Sequence, residues 1–597
     1  MDCIIALILA LSYVTLAIWS LPSTGVTWDE NRYIAQAKAR AYSLYSMASG
    51  KEDLFFCDLR KDFELSKDAD ELSNEWASRC WEGRPKLPIT ISGIGWAFVW
   101  FMNGGSLSVI QSIMAHRMPL ILLNALGFIA IFFFIRESHG RRAAVFSVLA
   151  AIFMPRLFAL SRYVLMDEAV GIFWVLTVWT FWKGLEDRRY GILSGVMLAL
   201  ALLSKEQALF IPFILFAWLL ISYRDKLKAK FGGYLADLRK MKIPKLPASP
   251  LSIIFITPVV WVLFWPWLWY NTANRIMWWE SYYLSHIEHG GVSVYFLGNA
   301  IAHPSWLYIV SLTIATIPLP MLILAMIGTW KAVGDTARLS NRVSMLILLS
   351  AVTPILVLSI VQVAYNGVQQ FVQSFFFIAI LAGIGADHVL KSKKIPQTLM
   401  KRNLLAALLL LLIVSPGLLA ILKGHTDTYF SEIVGGASGV YNNNLFEVEW
   451  SGESYLDAAY WLNENAAENA TIFVPMANNI FNTYKYGDIG QIAGRLDIGK
   501  EGLNASWFEQ KPLLRTDIRV KGAHDINSSL DMESIDYIIV MSRFGLFNDS
   551  NYVGYSMPYV ESCEPVYSVQ IDGVPLTRIY RTDCLGNNRK VEWGDFA

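Results

Sequence analysis

The 597-residue chain is 54% hydrophobic and 17% charged, with 22 Trp, 26 Tyr, 33 Phe and a mean hydropathy of +0.40, whereas soluble domains carry roughly 25% charge. This balance excludes disordered, collagenous and disulfide-scaffold classes and describes a polytopic membrane protein. The net charge of +1 conceals a division: Gly424 to the C terminus holds 12 Lys+Arg against 24 Asp+Glu, which leaves +13 for residues 1–423.

A bilayer span takes about 20 mostly apolar residues. About eleven such runs occur, at 3–20, 117–135, 143–160, 168–182, 190–203, 207–222, 251–268, 306–330, 343–362, 372–390 and 403–421. The first is expected to be an uncleaved anchor rather than a cleaved signal peptide, because Met1-Asp2-Cys3 lacks a basic start. Residues 87–102, interrupted by Pro and Gly, read as an interfacial or re-entrant piece. Loops 136–142, 183–189, 223–250, 331–342 and 391–402 hold 22 basic residues, and the opposite connections 161–167, 204–206, 269–305 and 363–371 hold three. Basic short loops stay in the cytoplasm. The N terminus is therefore expected inside, and the first loop (21–86, with the interfacial piece 21–116) and the tail are expected outside.

The chain thus reads as a membrane domain, 1–422, and an extracytoplasmic small α/β domain, 423–597. In the tail, Tyr455–Asn463 is amphipathic, Thr471–Val474 and Tyr537–Met541 alternate as strands, and Tyr567–Ile571, Asp572-Gly573 and Pro575–Tyr580 form a hairpin. Cys57 and Cys80 in the first loop and Cys563 and Cys584 in the tail allow one bridge each, four free thiols being the alternative. Sequons stand at Asn469, Asn504, Asn527 and Asn548.

Ionisable residues at the mouth of a span bundle mark functional candidates. Three places share the outer side: Asp29-Glu30 beside Trp28 and Tyr33, Asp167-Glu168 after Arg162, and Lys205-Glu206. The bland reading of each is an interfacial charge in an aromatic belt. The loop 270–305 adds Trp278-Trp279 and a His286-Ile287-Glu288-His289 box, which suits a sugar-binding lip better than a metal site. Walker, HExxH and GxSxG motifs are missing, and Asp68-Ala69-Asp70 lies in a charged, solvated stretch. Nucleotides being scarce outside the cytoplasm, the energy for synthesis there would come from a preactivated, membrane-delivered donor.

Asp29-Glu30 with Arg32-Tyr33, Arg156–Leu160 followed by Leu165-Met166-Asp167, Phe264–Trp269, the His286–His289 box with Val294–Gly298, and Asn366–Phe371 before Ala382–Gly385 occur in one order across about residues 20–390. In this the chain resembles the GT-C membrane glycosyltransferases, specifically the family 39 group of protein O-mannosyltransferases and lipid A aminoarabinose transferases. It departs from many members at Glu82–Pro88, where they carry His-Pro-Pro or Glu-Lys-Pro, and its tail does not resemble a β-trefoil. The resemblance implies the GT-C fold and transfer of a sugar from a polyprenyl-phosphate donor to a glycan, lipid or protein acceptor outside the membrane, with inversion. It implies catalytic Asp29, Glu30 and Asp167, with Asp29 as base. Arg84, Lys86, Arg162 and Lys205 are candidates for the donor phosphate; Trp28, Tyr33, Glu168, His286, Glu288 and His289 are candidates for sugar or acceptor. Any divalent metal cation would sit between Asp29 and Asp167, and no other cofactor or nucleic acid is called for. A transporter or flippase, or a noncatalytic assembly subunit, is the competing class.

Overall fold

The computed structural model describes residues 1–49, 86–223, 247–269, 271–288, 293–338, 340–361, 367–392, 398–487, 510–522, 534–543 and 563–585. Helix occurs at each of the eleven expected positions, since only internal hydrogen bonding satisfies a backbone in hydrocarbon. The chain opens with α1 (Asp2–Ser20), α2 (Trp28–Ser49), α3 (Leu87–Met102) and α4 (Val109–Ser138). Next come α5 (Arg141–Ile152), α6 (Pro155–Leu160), α7 (Asp167–Lys183), α8 (Arg188–Ser204) and α9 (Phe210–Ser222). The bundle continues with α10 (Ala248–Leu263), α11 (Thr272–Glu288), the short hairpin β1 (Val294–Phe296) and β2 (Asn299–Ile301), α12 (Trp306–Thr316), α13 (Leu319–Ala337), α14 (Arg342–Val361), α15 (Val372–Leu390) and α16 (Leu399–Lys423).

Among the described residues, five helices are long and apolar enough to cross a membrane, or six if the bent pair α12–α13 is one span. The protein is an integral membrane protein, but several expected spans are shorter or broken, and proline explains two of the breaks. The run at 143–160 divides into α5 and α6 because Pro155 follows Met154, which is extended at φ −82°, ψ 109°. The run at 306–330 bends by 114° where Ile317, at ψ 130°, precedes Pro318. A residue before proline is pushed out of the helical region, so the helix stops there; Pro155 opens α6 and Pro318 stands at the N-cap of α13. Residues 87–102 are a continuous helix rather than a re-entrant turn. Pro88 lies in its first turn, where the missing N–H costs no bond. The polar loop expected at 21–86 contains the 22-residue α2.

Helices α13 and α15 cross with their backbones touching. A methyl group on Gly328 would lie 1.9 Å from the Leu381 carbonyl oxygen, and one on Gly385 2.0 Å from that of Leu324. Such close packing replaces the hydrophobic drive that lipid removes. One end of the bundle collects basic loops: Asp2 pairs with Arg136 and Arg141, Lys183 with Glu137, and Arg142 and Lys391 share Asp387.

Beyond α16, the C-terminal region is a small α/β domain at the opposite end of α1. It comprises α17 (Gly436–Asn442), α18 (Tyr455–Asn465), β3 (Thr471–Val474), α19 (Asn478–Tyr486), β4 (Arg519–Gly522), β5 (Tyr537–Met541), β6 (Tyr567–Ile571) and β7 (Val574–Arg581). The sheet order is β4-β3-β5-β7-β6, with β3 parallel to β4 and β5 and the β6–β7 hairpin antiparallel. Asp572 (φ 48°) and Gly573 (φ 79°) make the two-residue turn that such a hairpin requires. Cys563 and Cys584 form a disulfide, and Cys3 is free. Cys57 and Cys80 lie outside the described residues.

Candidate active site

The site lies where α1 gives way to α2 and where α8 ends. Asp29, Tyr33 and Gln36 follow one another at helical spacing on α2, so they share one face. Asp29 and Tyr33 are half-buried. Lys86, at the cap of α3, is buried; its Nζ donates to Gln36 Oε1 at 2.8 Å and lies 5.1 Å from the Tyr33 ring centre. This fixes a cation on the α2 face that carries Asp29.

The second wall comes from α7, α8 and the turn before α15. Asp167 opens α7 and is 1% exposed; Lys205 follows α8 and is 8% exposed. Lys205 Nζ donates to Asp167 Oδ1, and Gln369 Nε2 donates to Asp167 Oδ2 at 3.1 Å. Asp29 and Glu206 also act electrostatically on Lys205, which joins the two walls into one constellation. Beside it, Leu203 packs with Trp265, Trp267, Leu268 and Trp279, an apolar aromatic wall next to the charged group. Three acids act on one buried cation, and in so buried a group their field is stronger than the same charges would exert in water.

Other expected site residues are committed elsewhere. Glu30 is fully buried and forms a bidentate pair with Arg117, with Nε to Oε1 at 2.8 Å and Nη2 to Oε2 at 2.6 Å. It also accepts the Val164 and Thr27 backbone N–H groups at 2.8 and 3.2 Å. With both oxygens taken, Glu30 ties the start of α2 to α4 and to the loop before Asp167; the structure gives it a positioning rather than a catalytic geometry. Arg162 is buried and donates to the hydroxyls of Ser20 (2.9 Å), Thr24 (2.5 Å) and Thr426 (2.7 Å), so it pins loops instead of presenting a fork to a phosphate. Glu168 is buried on the bundle side, where its charge reaches the Tyr13 hydroxyl of α1. It also feels the charges of Asp167 and Lys205, so this sugar or acceptor candidate lies beside the pair. Trp28 donates its backbone N–H to Ser451 O at 2.7 Å and stacks under Arg543.

His286 and Glu288 end α11; Arg84 and His289 lie outside the described residues. A metal between Asp29 and Asp167 does not fit this arrangement. Both Asp167 oxygens already accept bonds from Lys205 and Gln369, and among the described residues no group of three His, Cys, Asp or Glu is placed to hold an ion. Gln36, Arg117, Tyr163 and Gln369 were not anticipated. Only Gln369 had a signal, as part of the Asn366–Phe371 motif.

A second polar cluster lies under the C-terminal domain. Asp427, Glu449 and Glu453 are buried within it. Glu449 Oε1 accepts the Ser451 and Gly452 N–H groups at 2.9 Å each, and the Ser451 hydroxyl donates to Asp427. Burial and the adjacent Glu453 push the Asp427 carboxyl up to about 7, and burial with Asp427 raises Glu449. Burial opposes charge on His425, but its bond to Asp457 and the nearby Glu453 and Asp427 raise it to about 9.

The family model for dolichyl-phosphate-mannose-protein mannosyltransferases matches residues 96–261, within the stretch where the sequence resembles that group. Among solved structures, the chain is similar to ArnT from Cupriavidus metallidurans bound to undecaprenyl phosphate, at 13% identity over 96% of this chain and 97% of that chain, with a TM-score of 0.45. The apo form of the same protein gives 14% identity, 96% and 97% coverage and a TM-score of 0.46. The apo oligosaccharyltransferase of Archaeoglobus fulgidus gives 11% identity, 91% and 69% coverage and a TM-score of 0.47. No curated protein matches.

Proposed function

We propose that this chain is a membrane glycosyltransferase that moves a sugar from a polyprenyl-phosphate donor to an acceptor hydroxyl on the side of the membrane bearing the C-terminal domain. The observation that carries the reading is the convergence of Asp29 and Asp167, remote in sequence, on the buried Lys205, which bonds Asp167 and feels the charge of Asp29. The family match over 96–261 supports the same chemistry. The basic loops gather at the other end of the bundle, which by the positive-inside rule supports an outer position for the site and the tail.

In this reading Asp29 takes the proton of the acceptor hydroxyl as its oxygen attacks the anomeric carbon. The bond from that carbon to the phosphate oxygen breaks, its electron pair leaves with polyprenyl phosphate, and the configuration inverts. Lys205 and Lys86 neutralise the charge that develops on the departing phosphate. Asp167, held by Gln369, fixes Lys205, because a lysine tethered at one oxygen keeps its direction. The aromatic wall excludes water, which otherwise competes as acceptor.

The test uses the purified full chain in detergent with a panel of polyprenyl-phosphate pentoses and hexoses, following polyprenyl phosphate by mass spectrometry. Asp29→Asn should abolish acceptor-dependent release while leaving protein level and donor binding intact. Near-normal release in that variant removes Asp29 from the chemistry. No release by the wild-type chain from any donor, with transport of an intact lipid-linked sugar, favours the flippase class.

A further inference from the structure

The two loops that deliver Asp29 and Asp167 are gripped from the same place. In the first, Trp28 N–H donates to Ser451 O at 2.7 Å, Val26 N–H to the Tyr484 hydroxyl at 3.0 Å, and the Arg543 guanidinium lies 4.9 Å from the Trp28 ring centre while its Nη1 donates to Trp450 O at 2.9 Å. In the second, the Tyr163 hydroxyl donates to Glu453 Oε2 at 2.6 Å. A methyl group on Gly25 would lie 2.1 Å from Glu453 O, so the backbones are in contact there. The apolar packing is continuous as well: Val26, Ile34, Val164 and Met166 belong to the same buried cluster as Ile472, Ile480 and Ile539 of the C-terminal domain.

We propose that the C-terminal domain is a positioning element of the active site, in which segment 449–454 and Arg543 clamp the loops carrying Asp29 and Asp167 in register. The inference rests on the glycosyltransferase reading for its catalytic consequence, but the clamp itself is a matter of loop order. Its grip is built rather than incidental. Segment 449–454 has a fixed shape because Glu449 accepts the Ser451 and Gly452 N–H groups, and Ser451 in turn accepts from Glu453 N at 3.2 Å. The contacts of the clamp with the two loops fall on Trp28 and Tyr163, one and four positions from Asp29 and Asp167. A shift of about 1 Å between reacting groups costs on the order of 100-fold in rate, so this contact sets turnover rather than affinity. Arg543 and Tyr163 are positioning residues; neither touches the reacting atoms.

The experiment compares wild type, Arg543→Met, Arg543→Lys and Tyr163→Phe as full chains in detergent by hydrogen exchange and by turnover of one polyprenyl-phosphate sugar. Arg543→Met keeps bulk but loses the fork; it should speed exchange in peptides spanning 24–33 about fivefold, the equivalent of one net hydrogen bond. Protection of β5 should stay unchanged, kcat should fall about tenfold and KM should stay within about twofold. Arg543→Lys should recover part of the loss. Tyr163→Phe removes one oxygen and should loosen 161–168 without loosening 24–33. Unchanged exchange at 24–33 in Arg543→Met with β5 protected overturns the clamp, as does faster exchange with unchanged kcat. If wild type releases no polyprenyl phosphate, the functional reading fails while the exchange data still decide the clamp.

Discussion

Replacing Glu30 by Gln tests whether this carboxylate holds the site or takes part in it. The pair with Arg117 is fully buried on both sides, with two bonds of 2.8 and 2.6 Å, and among the described residues the further acceptors of Arg117 are the Thr24 and Gly25 carbonyls. Removing one charge leaves a buried guanidinium uncompensated, which costs about 3–5 kcal/mol. Gln retains one acceptor, so the lower end, about 3 kcal/mol, is expected, together with weakening of the bonds to Val164 and Thr27. Tryptophan fluorescence during heating in detergent should show a transition several degrees lower, with faster proteolysis between α1 and α2. The companion Arg117→Met should be as damaging. The double variant, which leaves no lone charge, should recover at least half of the loss, since burying a neutral pair avoids the desolvation penalty. A Glu30→Gln chain that melts at the wild-type temperature and yet fails to turn over would refute the positioning role and return Glu30 to the chemistry.

Gln369→Leu should lower kcat about tenfold through a misdirected Asp167–Lys205 pair, with protein yield near normal; an unchanged rate would show that Asp167 needs no second donor. Asp427 has its pKa raised by folding, so its contribution to stability is full at low pH and is lost as pH rises from about 4 to about 7. Asp427→Asn should therefore flatten the pH dependence of thermal stability across that window, and a profile still sloping as in wild type would contradict it. Gly385→Leu should prevent the α13–α15 crossing and reduce the yield of folded protein, checked by monodispersity in detergent. Converting Cys563 and Cys584 together to Ser should destabilise the β6–β7 hairpin by about 3 kcal/mol, judged by exchange at Tyr567–Ile571.

The sequence alone determined where the apolar helices and three of the tail strands lie. Apolar runs and period-2 alternation are local properties, and the tail strands Thr471–Val474, Tyr537–Met541 and Tyr567–Ile571 occur at the residues expected. The gathering of basic loops at one end was legible for the same reason, because each loop carries its own charge. The lengths of the helices were less so: Met154 and Ile317 leave the helical region because of the proline that follows, a local rule whose outcome depends on neighbouring packing. α2 was missed because a polar helix held by α3 and the tail has no lipid-facing stripe to announce it. The division of labour among the charged residues was decided by tertiary structure. Asp29 and Glu30 are adjacent and chemically alike, yet a helix turns successive side chains about 100° apart, so one acts on Lys205 and the other meets Arg117, 87 residues away. Pairings such as Lys205 with Asp167, Asp167 with Gln369, and Trp28 with Ser451 and Arg543 depend on which helices touch, and sequence spacing carries no record of that.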